Sequence, residues 1–268
     1  MHTRLESRFF REGRLDVLCL QGAIREACKH AGFELEQYGI QDRFPLCGCK
    51  RLPNINSPTV YISTGMHGDE PAGPLALLAI LEEGFLSFSI NFVLCPLLNP
   101  LGLSLGTREN PSGVDLNRDY LESATSEVKA HTAWLDKQPR FDLAILMHED
   151  CDSSGFYLND FVCNEESASI AGTILTSVRE ICPVSDDSII DDRPAQDGVA
   201  CPWKDKRLKD HWTECFYLRK NEAAFCFNFE SPSRLPLRLR IEGQIGAVKS
   251  ALDLVETPVK NVDWRGVS

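Results

Sequence analysis

The 268-residue sequence carries 43% hydrophobic and 25% charged side chains, the balance of a folded globular chain and not of a disordered one. Its 39 acidic residues against 28 basic ones leave a net charge of −11, which argues against nucleic acid or an anionic membrane surface as a primary partner. No run approaches the roughly 18 to 20 apolar residues of a membrane span. At about 150 residues per domain the length suits one large α/β domain over residues 1–268, with 1–56 an N-terminal helix and strand extension integrated into it.

Within the first twenty residues Arg4, Glu6, Arg8, Arg11, Glu12, Arg14 and Asp16 interrupt any apolar centre of a secretion signal, so a cytoplasmic location is expected. The 11 cysteines follow no repeated spacing, which suits a reducing compartment, and most are read as buried thiols. A helical pattern runs from Leu15 to Gln37 and stops near Gly39. Phe44 to Lys50 is the first strand-like run; within it Cys47 and Cys49 form a close pair that no second Cys/His pair answers at zinc-knuckle spacing. Further short apolar runs, bounded by Pro, Gly, Asn or Asp, are Thr59 to Thr64, Asn91 to Cys95, Asp142 to Met147 and Ala223 to Phe229. Helical patterns fall at Ala72 to Glu83, Ser123 to Lys137, Ser167 to Ile181 and Leu235 to Val255. This alternation predicts a largely parallel or mixed sheet with helices on both faces. Asp186 to Asp210, rich in Asp, Pro and Lys, reads as a long functional or mobile loop.

In such sheets ligands bind at the carboxyl ends of the strands. After Thr64 comes Gly65-Met66-His67-Gly68-Asp69-Glu70, in which His67 and Glu70, three apart, share one face of a helical turn. After Met147 comes His148. Two histidines and one glutamate are a ligand set for a catalytic zinc that keeps one position open to water. The loop from Asn99 to Tyr120 holds Arg108 and the compact Asp115-Leu116-Asn117-Arg118, whose guanidinium and amide groups suit a carboxylate or an oxyanion. Glu230 stands where a strongly apolar strand stops, surroundings that raise a carboxyl's proton affinity toward that of a general base. Each residue also has an ordinary structural reading: a turn and cap for His67 and Glu70, a core imidazole for His148, a salt-bridged loop for Arg108, Asn117 and Arg118, a helix N-terminal carboxylate for Glu230. Three ligand candidates at two strand ends favour the metal reading. His30, His131 and His211 are assigned to structure or surface.

The order His67-x-x-Glu70, Arg108, Asp115-Leu116-Asn117-Arg118, His148, Glu230 resembles the zinc carboxypeptidase family. The stretch from Gly106-Thr107-Arg108 through Asp115 to Arg118 is closest to its compact bacterial branch that includes murein peptide amidases. The resemblance covers roughly residues 57 to 255. It implies an α/β three-layer sandwich around a mixed, mainly eight-stranded sheet, and one zinc ion per chain held by His67, Glu70 and His148. It implies further that Asp115 orients the first ligand histidine, that Asn117 and Arg118 grip a substrate carboxylate, that Arg108 polarises the scissile carbonyl, and that Glu230 is the general base and acid. The interval from Glu70 to His148 is much shorter than in digestive carboxypeptidases, so specificity does not transfer. The family's mobile tyrosine has two candidates here, Tyr157 and Tyr217, and Asp150 would share a side with His148 if that strand continues.

The expected activity is zinc-dependent carboxypeptidase action on small peptides with a free carboxylate. The alternative is an N-acyl amino-acid deacylase similar to the succinylglutamate desuccinylase and aspartoacylase branch, which shares the His-Gly-x-Glu and Asp-Leu-Asn-Arg patterns. A third reading, from another class, is an inactive module that binds peptide C-termini. The sequence carries no signature of an oligomeric state.

Overall fold

The computed structural model describes residues 3–204 and 210–257. Helix α1 (Thr3–Phe9) leads through a small hairpin of β1 (Phe10–Arg11) and β2 (Arg14–Leu15) into α2 (Val17–His30). Asp16 caps α2, its side chain accepting from the Cys19 N–H at 3.0 Å. The helix stops at His30, not near Gly39 as its polar periodicity suggests. Gly32 takes a left-handed φ of +79°, and the chain continues as strand β3 (Glu34–Gln41), antiparallel to β4 (Phe44–Arg51). Glu34-Leu35-Glu36-Gln37 is rich in helix formers, but β3 is the edge strand of the sheet. Its ladder with β4 overrides that preference.

The remaining elements are β5 (Thr59–Thr64), α3 (Ala72–Glu83), β6 (Asn91–Cys95), α4 (Pro100–Leu105), a 3₁₀ turn at Leu116–Arg118, α5 (Ser126–Leu135), β7 (Leu143–Asp150), β8 (Tyr157–Asp160), α6 (Glu165–Arg179), β9 (Ile189–Ile190), β10 (Arg193–Gln196), β11 (Val199–Ala200), α7 (Glu214–Lys220), β12 (Phe225–Pro232) and α8 (Leu237–Glu256). One mixed sheet of ten strands runs in the order β3-β4-β6-β5-β7-β12-β8-β11-β10-β9. The count differs from the expected eight, and the segment after Asp186, read as a loop, contributes β9, β10 and β11 at one edge. These strands are two to four residues long and contain Arg, Pro and Gln, so they carry no alternating apolar pattern. The end of that predicted loop, 205–209, lies outside the described residues.

Strands β6, β5, β7 and β12 run parallel, so their carboxyl ends open on one edge. Alternate side chains face two layers. Val60 and Ile62, Leu143 and Ile145, and Phe225, Phe227 and Phe229 join the core shared with α2, α3, α6 and α8. Tyr61, Ala144, Leu146 and Cys226 face α5 and α7. Helix α3 is buried along Ala72–Leu81, which explains its lack of a polar face. Cys215 of α7 and Cys226 of β12 form a disulfide, where the sequence suggested mostly buried thiols. No helix among the described residues is long and apolar enough to cross a membrane.

Candidate metal and active site

The turn after β5 carries the first ligand pair. At Gly68 any Cβ would stand 1.9 Å from the Gly102 carbonyl carbon at α4, so only glycine lets the two backbones touch. The Gly68 N–H donates to the Thr107 carbonyl at 2.9 Å, which ties the His67 turn to the Arg108 loop. Strand β7 extends past Met147 to Asp150, so His148 lies within its last turn of ladder, opposite Glu230 of β12 in the parallel register.

Three side chains from these two places converge. His67 Nδ1 is 2.6 Å from Glu70 Oε1, His148 Nδ1 is 2.9 Å from Glu70 Oε2, and the two Nδ1 atoms are 3.2 Å apart. All three residues are buried, and their ligand atoms lie within 4.8 Å of one another. The other nitrogen of His67, Nε2, stands 3.2 Å from Asp115 Oδ1. A donated Nε2–H there leaves the Nδ1 lone pair facing Glu70. Lone pairs at such distances repel unless a cation or a proton lies among them, and two imidazoles with a carboxylate suit zinc. Electrostatics agree with that demand. Burial alone would lower the basicity of His67, but Glu70 and Asp115 raise it to about 9. Glu70 is buried too, yet His67 and His148 hold it well below the ordinary carboxylate range. Burial keeps His148 below its usual value despite Glu70.

Asp115 gathers the loop. It accepts from the Asn117 N–H at 2.8 Å and from Arg108 Nη2 at 3.1 Å, while Arg108 also lies 3.5 Å from Glu70 Oε1. Asn117 Oδ1 accepts from the Glu214 N–H at 2.9 Å, which leaves its NH₂ as the group available to the cavity. Arg118 donates to the Asn117 carbonyl at 2.9 Å. His67, Glu70, Arg108, Asn117, Arg118 and Glu230 all line one cavity of about 520 Å³. Glu230 is an integral part of β12, well before α8 begins at Leu237, so it does not cap that helix. Its Oε1 accepts from Asn228 Nδ2 at 2.9 Å, and its buried Oε2 has no partner. Burial, then the Glu70 carboxylate, push its proton affinity well above the ordinary range.

Of the two tyrosine candidates, Tyr157 lines this cavity and donates to Asp150 at 3.0 Å, whereas Tyr217 donates to Asp136 elsewhere. Asp150 thus faces the cavity on the His148 side of its strand, held by Tyr157. Cys47 and Cys49 enter no group of potential metal ligands among the described residues. Sequence reasoning missed the supports behind the ligands. Glu149 turns to the opposite face from His148, accepts from the Ala72 N–H at 2.7 Å and from Arg240 of α8 at 2.5 Å, and Gln244 of α8 holds the His148 carbonyl at 2.8 Å. Strand alternation would have turned Glu149 inward; nothing local identifies its α8 partner.

Residues 56–166 match the family model of the succinylglutamate desuccinylase/aspartoacylase catalytic domain. That stretch contains His67, Glu70, Arg108, Asp115, Asn117, Arg118 and His148, but not Glu230. No curated protein matches the chain significantly. Among solved structures, a candidate metallopeptidase of Shewanella amazonensis superposes with a TM-score of 0.80 at 23% identity, covering 90% of this chain and 93% of that one. A second candidate metallopeptidase, from Shewanella baltica, gives 0.79 at 24% identity over 89% and 92%. A metallo-carboxypeptidase of Burkholderia cenocepacia gives 0.66 at 14% identity, covering 91% of this chain and 70% of that one. The fold is therefore that of the carboxypeptidase-like α/β sandwich.

Proposed function

We propose that the protein is a metal-dependent hydrolase, with one zinc per chain held by His67, Glu70 and His148, that cleaves an amide bond beside a free carboxylate as a carboxypeptidase of small peptides. The observation that carries this reading is the convergence of three lone-pair-bearing side chains beside a buried carboxyl with an unpartnered oxygen, in one cavity. Zinc bound there would supply Lewis acidity, acidifying water and polarising the scissile carbonyl.

The chain's own residues account for the rest. Glu230, with its raised proton affinity, takes a proton from water at Oε2 and delivers it to the leaving nitrogen. Arg108 lies beside Glu70 and faces the oxygen that gains negative charge. The NH₂ of Asn117 and the guanidinium of Arg118 bind the substrate carboxylate, while Asp115 keeps His67 in the tautomer that offers Nδ1. The match over residues 56–166 favours a second reading of the same chemistry, deacylation of an N-acyl amino acid.

The test is a turnover screen of the zinc-loaded protein on dipeptides, a murein tripeptide and N-acyl amino acids, each with a free and an amidated C-terminus. Hydrolysis confined to free carboxylates supports the reading, and the preferred class separates peptidase from deacylase. Turnover of amidated substrates at equal kcat/KM would overturn it.

A further inference from the structure

Beyond Glu230 the cavity wall is made by β12 and β8, whose antiparallel register sets Asn228 directly opposite Asn159 and Glu230 opposite Tyr157. Residues two apart on a strand share a face, so Asn228 and Asn159 continue the surface on which Glu230 stands. Both line the cavity, with exposures of only 8% and 5%. The Asn228 amide is oriented by its donation to Glu230 Oε1, which turns Oδ1 away from that carboxylate. The Oδ1 atoms of Asn228 and of Asn159 are both buried and both lack a hydrogen-bond partner.

A buried carbonyl left unpaired is destabilising, and two facing each other across a strand pair in a cavity wall call for a donor from the ligand. Directly opposite residues hold their Cβ atoms about 5 Å apart, so a single NH₂ group, with two N–H bonds, can serve both. Neighbouring walls are Phe161 and Pro202. The two acceptors are neutral, and Asp191 on the same cavity is paired with Arg193 at 3.4 Å. A cationic side chain seated there would gain no ion pair from the two carbonyls themselves, and an apolar one would leave both carbonyls unpaired. Asn117, Arg118 and Glu230 line the same cavity as this wall, so a residue held there by its carboxylate with its amide at Glu230 has Asn159 and Asn228 within the same enclosure.

We infer that Asn159 and Asn228 form the side-chain subsite for the carboxylate-bearing residue and select a neutral side chain ending in a primary amide. The inference rests on the proposed hydrolase reading for its position in the reaction, and it adds the substrate's chemical class.

The test measures kcat/KM on N-acetyl-alanyl dipeptides ending in Gln, Asn, Leu, Phe, Lys or Glu, together with calorimetric binding of free L-glutamine and L-leucine to the zinc-loaded protein. The native protein should favour Gln or Asn over Leu by tenfold or more, because a site built to hydrogen-bond a group rejects analogues that lack it. Asn159→Leu should reverse that ratio, and Asn159→Asp should raise the relative rate for Lys. The gain for Lys distinguishes direct contact from a packing defect. A native preference for Leu or Phe, or ratios unchanged in both variants, would overturn the inference. If no peptide is turned over the hydrolase reading falls, and binding then decides: glutamine binding lost in Asn159→Leu sustains the subsite, while absence of glutamine binding to the native protein overturns it as well.

Discussion

At the scale of single residues, the ligands and the proton carrier should separate in their effects. Replacing His67 or His148 by Ala removes one of three ligands, and the protein purified after zinc loading should contain little metal by mass spectrometry. Full metal content in either variant would refute the ligand set. Glu230→Gln should keep zinc, since Glu230 is outside that cluster, and lower kcat by about 10² to 10⁴, the contribution of a positioned proton-transfer group. Arg118→Met should weaken kcat/KM for substrates with a free carboxylate by roughly 2 to 5 kcal/mol, because a charge-assisted contact is lost, and change the amidated forms little. Equal losses for both forms would assign Arg118 to the loop's own structure through its bond to the Asn117 carbonyl.

At the scale of elements, the ligand-bearing end of β7 is locked to two helices by Glu149. Its carboxylate meets the start of α3 through the Ala72 N–H and meets α8 through Arg240. Burial raises Glu149 to about 7 even though Arg240 draws it down. Removing one member of a buried ion pair leaves the other without compensation, at a cost of about 3 to 5 kcal/mol. Arg240→Met should therefore lower the midpoint of urea denaturation clearly at pH 8, where the native pair is ionised and the stranded carboxyl must either stay charged without a partner or take up a proton. The deficit should shrink at pH 6, where Glu149 takes a proton. A double variant, Glu149→Gln with Arg240→Met, should recover much of the loss; if it does not, the ion pair is not what holds β7 against α8.

At the scale of the whole molecule, the face opposite the α3 and α8 layer contains a buried polar network, and it sets a pH dependence. Glu214 of α7 accepts from Tyr61 at 2.6 Å and from Ser63 at 3.0 Å, and Tyr61 meets His131 at 3.1 Å. Burial raises Glu214 to about 7 from 4.5. The native state then holds a proton that the unfolded chain has released, so this group's stabilisation is complete below pH 4.5 and is lost as pH rises through about 7. Glu214→Gln should gain on the native protein between pH 5.5 and 8, by up to about 3 kcal/mol in denaturation free energy; a constant difference across that range would show that Glu214 is ionised in the fold throughout. The sequence by itself determined the alternating α/β frame, the long buried strands and the short packets His67 to Glu70 and Asp115 to Arg118, because each packet lies within a few residues at the end of an apolar run. Only the tertiary structure decided that Glu34 to Gln41 is an edge strand, that the segment after Asp186 adds three short strands, that Glu149 pairs with Arg240, and that Asn159 faces Asn228. Those features depend on ladder register and on partners far along the chain, and pairing across such distances leaves no local periodicity for a sequence to display.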